Sequence, residues 1–202
     1  MSNGTVDVGS LGDDGTRSDA ELVDAYRGGD VEAVGVLVER HGRALLAYLR
    51  GSTRDPQAAE EAFQETWLRV LRHLHGYRNG SFRAWLTTIA RNLLIDRSRR
   101  RRPEVSLDAQ GVGETPSLEE QLADGGARPE EDAAANELAE RVRELVARLP
   151  AAQREVFLMR TQQQLTFAEI AALVGVPLNT ALGRMHYAVR RLRRDLEVDD
   201  EA

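Results

Sequence analysis

The chain contains no cysteine and no lysine. The absence of Cys excludes disulfides, thiolate zinc sites and cysteine nucleophiles. No run approaches the ~20 apolar residues that a membrane span needs, so no membrane insertion is expected. Strand signals are missing as well: nowhere does β-branched alternation run between turn signals, and the expected fold class is all-α. The four histidines, His41, His73, His75 and His186, form no HExxH or HxxxH pair. His73 and His75 stand two apart, on different faces of a helix, and make poor co-ligands. No carboxylate pair is buried by pattern. Neither a metal, a cofactor, a small-molecule substrate nor a catalytic residue is therefore expected. The N-terminus, MSNGTVDVGSLGDDGTRSD, is polar and acidic, the opposite of a signal peptide, and a cytoplasmic location follows by default.

All 27 basic residues are Arg, against 33 acids, for a net charge of −6. Arg suits bidentate contacts to phosphates and bases, although a total absence of Lys looks more like genome composition than a binding strategy. The charge is unevenly spread. Residues 18–103 hold 15 Arg and 11 acids, and residues 137–196 hold 10 Arg and 6 acids, so each segment is +4. Between them, residues 104–136 hold one Arg and 9 acids, a net −8. Two basic segments are thus separated by an acidic one. For nucleic-acid binding such patches matter more than the whole-chain charge.

Local signals divide the chain further. Residues 1–17 lack periodicity and read as a disordered tail. Ser18 and Glu21 form a capping box for a short helix that stops at Gly28-Gly29. Asp30 can cap the next helix, whose apolar face is Val34, Leu37, Val38, Leu45 and Leu49. Asp55-Pro56 is a start signal, with Asp as N-cap and Pro at the first helical position. Ala59, Ala62, Phe63, Thr66, Trp67, Val70, Leu71 and Leu74 then recur at three and four. The opposite face of that helix carries Glu60, Glu61, Gln64, Glu65, Arg69 and Arg72. Ser81 caps a further helix, FRAWLTTIARNLLIDRSRRRR, with Phe82, Trp85, Leu86, Ile89 and Leu93 on one face. It ends in a dense Arg cluster before Pro103. Such a cluster is a solvated helix end favoured by the macrodipole or, the stronger reading, a phosphate-binding patch.

Residues 104–136 have linker composition. Leu138, Val142, Leu145 and Leu149 resume a helical stripe that ends at Pro150, and Val156, Phe157 and Leu158 mark another helix. Thr166 and Glu169 form a second capping box, Gly175 suits a left-handed helix end, and Pro177 forbids continuation. A last helix runs from about Leu178 to Leu196. Its Arg184, Arg190, Arg191, Arg193 and Arg194 are set against one acid, Asp195. Two helices joined by a tight Gly turn make a helix-turn-helix, whose second helix enters the major groove with its N-terminal residues on base edges. Asn179, Thr180 and Arg184 are the candidate readers. Residues 197–202 are an acidic tail.

In this order the two modules resemble a bacterial RNA polymerase sigma factor of the extracytoplasmic-function (ECF) subfamily. AAEEAFQETWLRVLRHL is similar to the polymerase-binding helix of region 2, and FRAWLTTIARNLLIDRSRRRR to its promoter −10 helix. LPAAQREVFLMR with LTFAEIAALVGVPLNTALGRMHYAVRRLRR resembles region 4, which binds the −35 element. The resemblance implies a non-enzymatic protein that binds core polymerase, through the β′ coiled coil and the β flap, directs it to promoter DNA and helps to open it. It implies that Glu61, Gln64, Glu65 and Arg69 grip polymerase. It assigns Asn79, Ser81, Phe82, Arg91, Asn92, Asp96, Arg97, Arg99, Arg100 and Arg101 to the −10 DNA. It assigns Asn179, Thr180, Arg184, His186, Tyr187 and Arg190 to the −35 DNA. Trp85 lies on the apolar face and reads as core. An anti-sigma partner is implied by the resemblance alone. One departure stands out: where the family commonly carries Lys and Ser, this chain has Leu182 and Gly183. The alternatives are a helix-turn-helix regulator that binds duplex DNA without polymerase, and a protein-interaction adaptor. The first leaves the stripe from Ala59 to Leu74 without a purpose; the second has no need of concentrated positive charge.

Overall fold

The computed structural model describes residues 17–53, 55–78, 80–101 and 132–200. Most of the N-terminal tail and of the acidic linker, and the last two residues, lie outside them.

The described residues form eight α-helices and one 3-10 turn, with no strand among them. The first helix, α1 (Asp19–Arg27), is closed at its start by the Ser18–Glu21 capping box. Helix α2 (Glu32–Ser52) begins after Asp30, whose carboxylate accepts the Glu32 N–H at 3.1 Å. Asp55 caps α3 (Pro56–His73) by accepting the Gln57 N–H at 2.9 Å, with Pro56 at the first position. The 3-10 turn Leu74–Gly76 ends it. Ser81 accepts the Ala84 N–H at 3.1 Å at the head of α4 (Phe82–Arg101). These four caps satisfy N–H groups that a helix start leaves without partners.

Helices α1 to α4 pack around α2. Leu22, Leu37, Leu45, Leu49, Val70, Leu74 and Leu86 are fully buried at the centre. An aromatic cluster closes one end: Phe82 is 1% exposed and touches the rings of His41, Tyr77 and Trp85, at centroid separations of 5.2, 5.6 and 5.6 Å. Arg27 reaches the carbonyls of Leu74, His75 and Tyr77, and so ties α1 to the chain beyond α3.

The second group comprises α5 (Asp132–Ala147), α6 (Ala151–Thr161), α7 (Phe167–Val174) and α8 (Leu178–Asp200). Helix α7 carries the Thr166–Glu169 capping box and ends at Gly175, whose φ of 71° is left-handed. A Cβ there is disfavoured by 1–2 kcal/mol, and the turn exists because glycine lacks one. Helix α8 runs through Glu197 to Asp200, beyond the expected stop near Leu196. Nothing in LRRDLEVDD breaks a helix, and acidic charge alone does not end one.

Leu138 departs from its expected place. It is 56% exposed, and the stripe of α5 is covered only from Val142 onward, with Leu145 and Leu149 buried. Helical spacing reveals an apolar face but does not supply the surface that covers it.

The two groups touch. Helix α2 packs against α5 and α6, and α4 packs against α7.

Asp19 joins α1 to α2 by accepting from Arg40 at 2.7 Å and pairing with His41 Nε2 at 2.9 Å. Burial pushes the His41 imidazole below its usual 6.5, and the Asp19 hydrogen bond only partly opposes this. The unfolded chain therefore takes up this proton first, so the stabilising contribution is complete above about pH 6.5 and is lost as pH falls below it. Burial raises the Asp19 carboxyl, but hydrogen bonds from Arg40 and His41 outweigh it and hold it below 3.8, which adds a second acid-labile contribution in a lower pH range. Thermal melts between pH 7 and pH 5.5 should show a steeper loss of Tm in wild type than in His41→Gln, which keeps a donor for Asp19 but cannot titrate.

Candidate polymerase and DNA interface

The outer face of α3 and the C-terminal half of α4 are joined by alternating charges. Arg97 donates to Glu65 at 3.0 Å and to the Ala58 carbonyl at 3.2 Å, and lies 3.7 Å from Glu61. Arg69 pairs with Glu65 at 2.8 Å and approaches Asp96 at 3.6 Å. Burial alone would raise Glu65, but the two guanidiniums outweigh it and hold its carboxyl below the ordinary range. Asp96 and Arg97, expected on the −10 DNA, are thus engaged with Glu61, Glu65 and Arg69, expected on polymerase. Gln64 and Glu61 remain exposed on the same helix face.

Along α4, Ser81, Asn92, Arg99 and Arg100 are exposed. Arg99 and Arg100 form no ion pair among the described residues, so the positive charge at this helix end is available to an anion. Asn79 lies outside the described residues, as does the Arg101 side chain. Phe82 is placed differently from its expected position against an opened strand: it is the first residue of the helix and is sealed in the aromatic cluster. Trp85 is half-buried beside it, as its apolar position suggested. Arg91 does not face outward freely; its Nε donates to Glu155 of α6 at 2.7 Å.

Helix α8 separates its faces clearly. Ala181, Ala188 and Leu192 are buried against α6 and α7, and Met185 packs with them. Asn179, Gly183, His186 and Arg190 follow at three and four on the opposite face, with Thr180 and Tyr187 flanking. All of these except the half-buried Gly183 are exposed, Tyr187 by 58%. Arg184 stands apart from the other expected readers. It lines a cleft of about 460 Å³ with Tyr48, Ser52, Arg91, Ser98 and Glu155. Leu182, 41% exposed, flanks the outward face. A Cβ on Gly183 would meet nothing within 4 Å, so packing within this chain does not require glycine there.

The family models for Sigma-70 region 2 and Sigma-70 region 4 match residues 37–104 and 139–192. The ECF RNA polymerase sigma factor SigL of Mycobacterium tuberculosis is 34% identical over 166 residues, covering 80% of this chain and 87% of SigL. The chain belongs to the ECF RNA polymerase sigma factors. SigW of Bacillus subtilis is similar over more of its own length, 28% identical across 83% of this chain and 91% of SigW. Among solved structures, CnrH in complex with the cytosolic domain of CnrY superposes with a TM-score of 0.65 at 26% identity, covering 91% of this chain and 99% of that one. The sigma factor RpoE in complex with the anti-sigma factor NepR from Bartonella quintana gives 0.63 at 26% identity, covering 84% and 99%.

Sequence reasoning missed Gly51, Glu155 and Gln163, which join the two helix groups, and it read Leu158 only as part of an apolar stripe. No periodic or capping signal marks the pairings, because the partners are distant in sequence.

The charge network between α3 and α4 should behave as a unit. A double-mutant cycle on Glu65→Ala and Arg97→Ala, followed by chemical denaturation, should give a coupling of about 0.5–1 kcal/mol, typical of part-exposed networked pairs. Additive effects would mean that the Glu65–Arg97 pair contributes nothing to holding the two helices together.

Proposed function

We propose that this sigma factor divides its work between residues 18–103, which engage core polymerase and the −10 element, and residues 137–196, which engage the β flap and the −35 element. The observation that carries this reading is the order of the two sigma regions along two helical groups that each bear net positive charge. Glu61 and Gln64 meet the β′ coiled coil, with Glu65 and Arg69 behind them; an acidic and amide face against a basic coiled coil steers association and fixes register. Arg99, Arg100 and Arg101 neutralise phosphates near the −10 element, which positions the protein without reading sequence. Ser81 and Asn92, with Asn79, meet bases or backbone of the opened strand. Asn179, Thr180, His186, Tyr187 and Arg190 meet the −35 duplex. The protein acts as a non-catalytic initiation factor in the cytoplasm, and no helix among the described residues is long and apolar enough to cross a membrane. An anti-sigma protein is its expected regulator, by analogy with the sigma factor RpoE solved in complex with the anti-sigma factor NepR.

The test is run-off transcription with sigma-free bacterial core polymerase on a pool of genomic promoter fragments. Wild type should yield specific transcripts, and Glu61→Arg with Gln64→Ala should abolish them while leaving helicity unchanged. Duplex binding by the protein alone, with no transcripts from any fragment, would favour a polymerase-independent regulator.

A further inference from the structure

The first turns of α8 hold apolar side chains out in water. Six large hydrophobic residues are exposed among the described residues, and three of them, Leu178, Leu182 and Tyr187, lie within the first ten positions of this helix. Leu178 is 47% exposed and Leu182 41%. They stand four apart, one above the other, on a flank of the helix. At about 3.6 residues per turn, Leu182 lies about a quarter-turn from the buried line of Ala181, Ala188 and Leu192. On its other side it borders the outward face that carries Asn179 and Gly183. Single exposed leucines are ordinary on a protein surface. Two stacked leucines along the edge of an outward face form a small apolar ridge.

Gly183 is a second, independent observation. It sits inside α8, where glycine weakens a helix relative to alanine. Its φ is not left-handed, and a Cβ there would meet nothing within 4 Å. Neither a turn nor a close contact within the chain accounts for the glycine. A missing side chain in the middle of the outward face lets the helix backbone come closer to what it meets.

The surroundings indicate what that is. Asn179, Thr180, His186 and Arg190 are exposed around this point, and Arg193 is exposed one turn further on. Polar groups at the outward centre and guanidiniums beyond them suit duplex DNA. Phosphates meet the cations, and the first residues of the helix meet base edges. In the major groove those edges carry donors and acceptors and one apolar group, the thymine C5-methyl. An apolar ridge entering the groove has that methyl as its complement.

We propose that Leu182, flanked by Leu178, is a specificity-determining residue that recognises a thymine through its C5-methyl. Gly183 lets the α8 backbone approach closely enough for the contact. The proposal rests on the −35 assignment of α8 made above. Lys in place of Leu182 would meet a phosphate, which strengthens binding to any sequence. Leucine exchanges that charge for discrimination between bases.

The test uses the full-length protein with core polymerase and the genomic promoter fragments, prepared with thymine or with deoxyuridine throughout the upstream element. Deoxyuridine pairs as thymine does and lacks only the methyl. Wild type should bind the thymine fragment about fourfold more tightly, the ratio that burying one methyl group gives. Replacing thymines singly should trace this effect to one or two adjacent positions. Leu182→Ala, a helix-compatible change at an exposed site, should lose the preference. Leu182→Lys should lose it too and gain salt dependence, with a log–log slope steeper by about 0.9. Gly183→Ala should melt no lower than wild type yet bind both fragments several-fold more weakly. Equal binding of the two fragments by wild type, or a preference that survives in Leu182→Ala, would overturn the assignment of Leu182. Unchanged binding by Gly183→Ala would overturn the role given to the glycine. If wild type bound no thymine fragment at all, the −35 reading itself would fall, and this inference with it.

Discussion

The burial of α2 is the constraint on which the rest depends. One side of this helix is closed by α1 and α3, its far end, from Tyr48 to Ser52, meets α6 of the other group, and α5 packs against it as well. Leu37, Leu45 and Leu49 are completely removed from water. Each buried leucine of this kind contributes about 1.5–3 kcal/mol through transfer from water. Because α2 is fixed on so many sides, α3 and α4 are held beside it in one register. Their facing side chains then settle into the chain of charges from Glu61 to Asp96. Glycine at position 51 completes the arrangement: it removes a side chain where another helix must approach.

Charge explains much of the remainder. An acidic protein with Arg-rich helices must keep those arginines from repelling one another, and it does so in two ways. Arg91 and Arg97 are neutralised internally by carboxylates on neighbouring helices, and Arg69 by Glu65 on its own helix and Asp96 on α4. Arg99, Arg100 and Arg190 stay on the surface, where phosphate can meet them. The division separates arginines that build the fold from those available to a partner. Arg91, expected on the −10 DNA, is in this structure paired with Glu155 of α6 and belongs to the first set.

Much of the fold was legible in the sequence because its signals are local. The Ser18–Glu21 and Thr166–Glu169 boxes, the Asp55-Pro56 start and the left-handed Gly175 all act over three or four residues, and each appears in the structure where its spacing puts it. The periodic burial of α2 and α3 was equally readable. Leu138 was not, since an apolar stripe says nothing about whether a cover exists. The candidate site was readable only in part. Outward positions on α8 follow from helical geometry, yet Arg184 turns to the cleft and Phe82 into the core. Arg91–Glu155 and Gly51–Leu158 join residues 64 and more apart, and no local rule reaches that far.

The most direct measurement is the distance between the two helix groups in solution. Glu39 and Ala172 are exposed on α2 and α7, and in a chain without native cysteine they can be replaced and labelled for energy transfer without side reactions. A single short distance is the expected result, because α2 packs against α5 and α6, and α4 against α7. A broad or long distance would contradict a fold in which the end of α2 is buried against the second helix group.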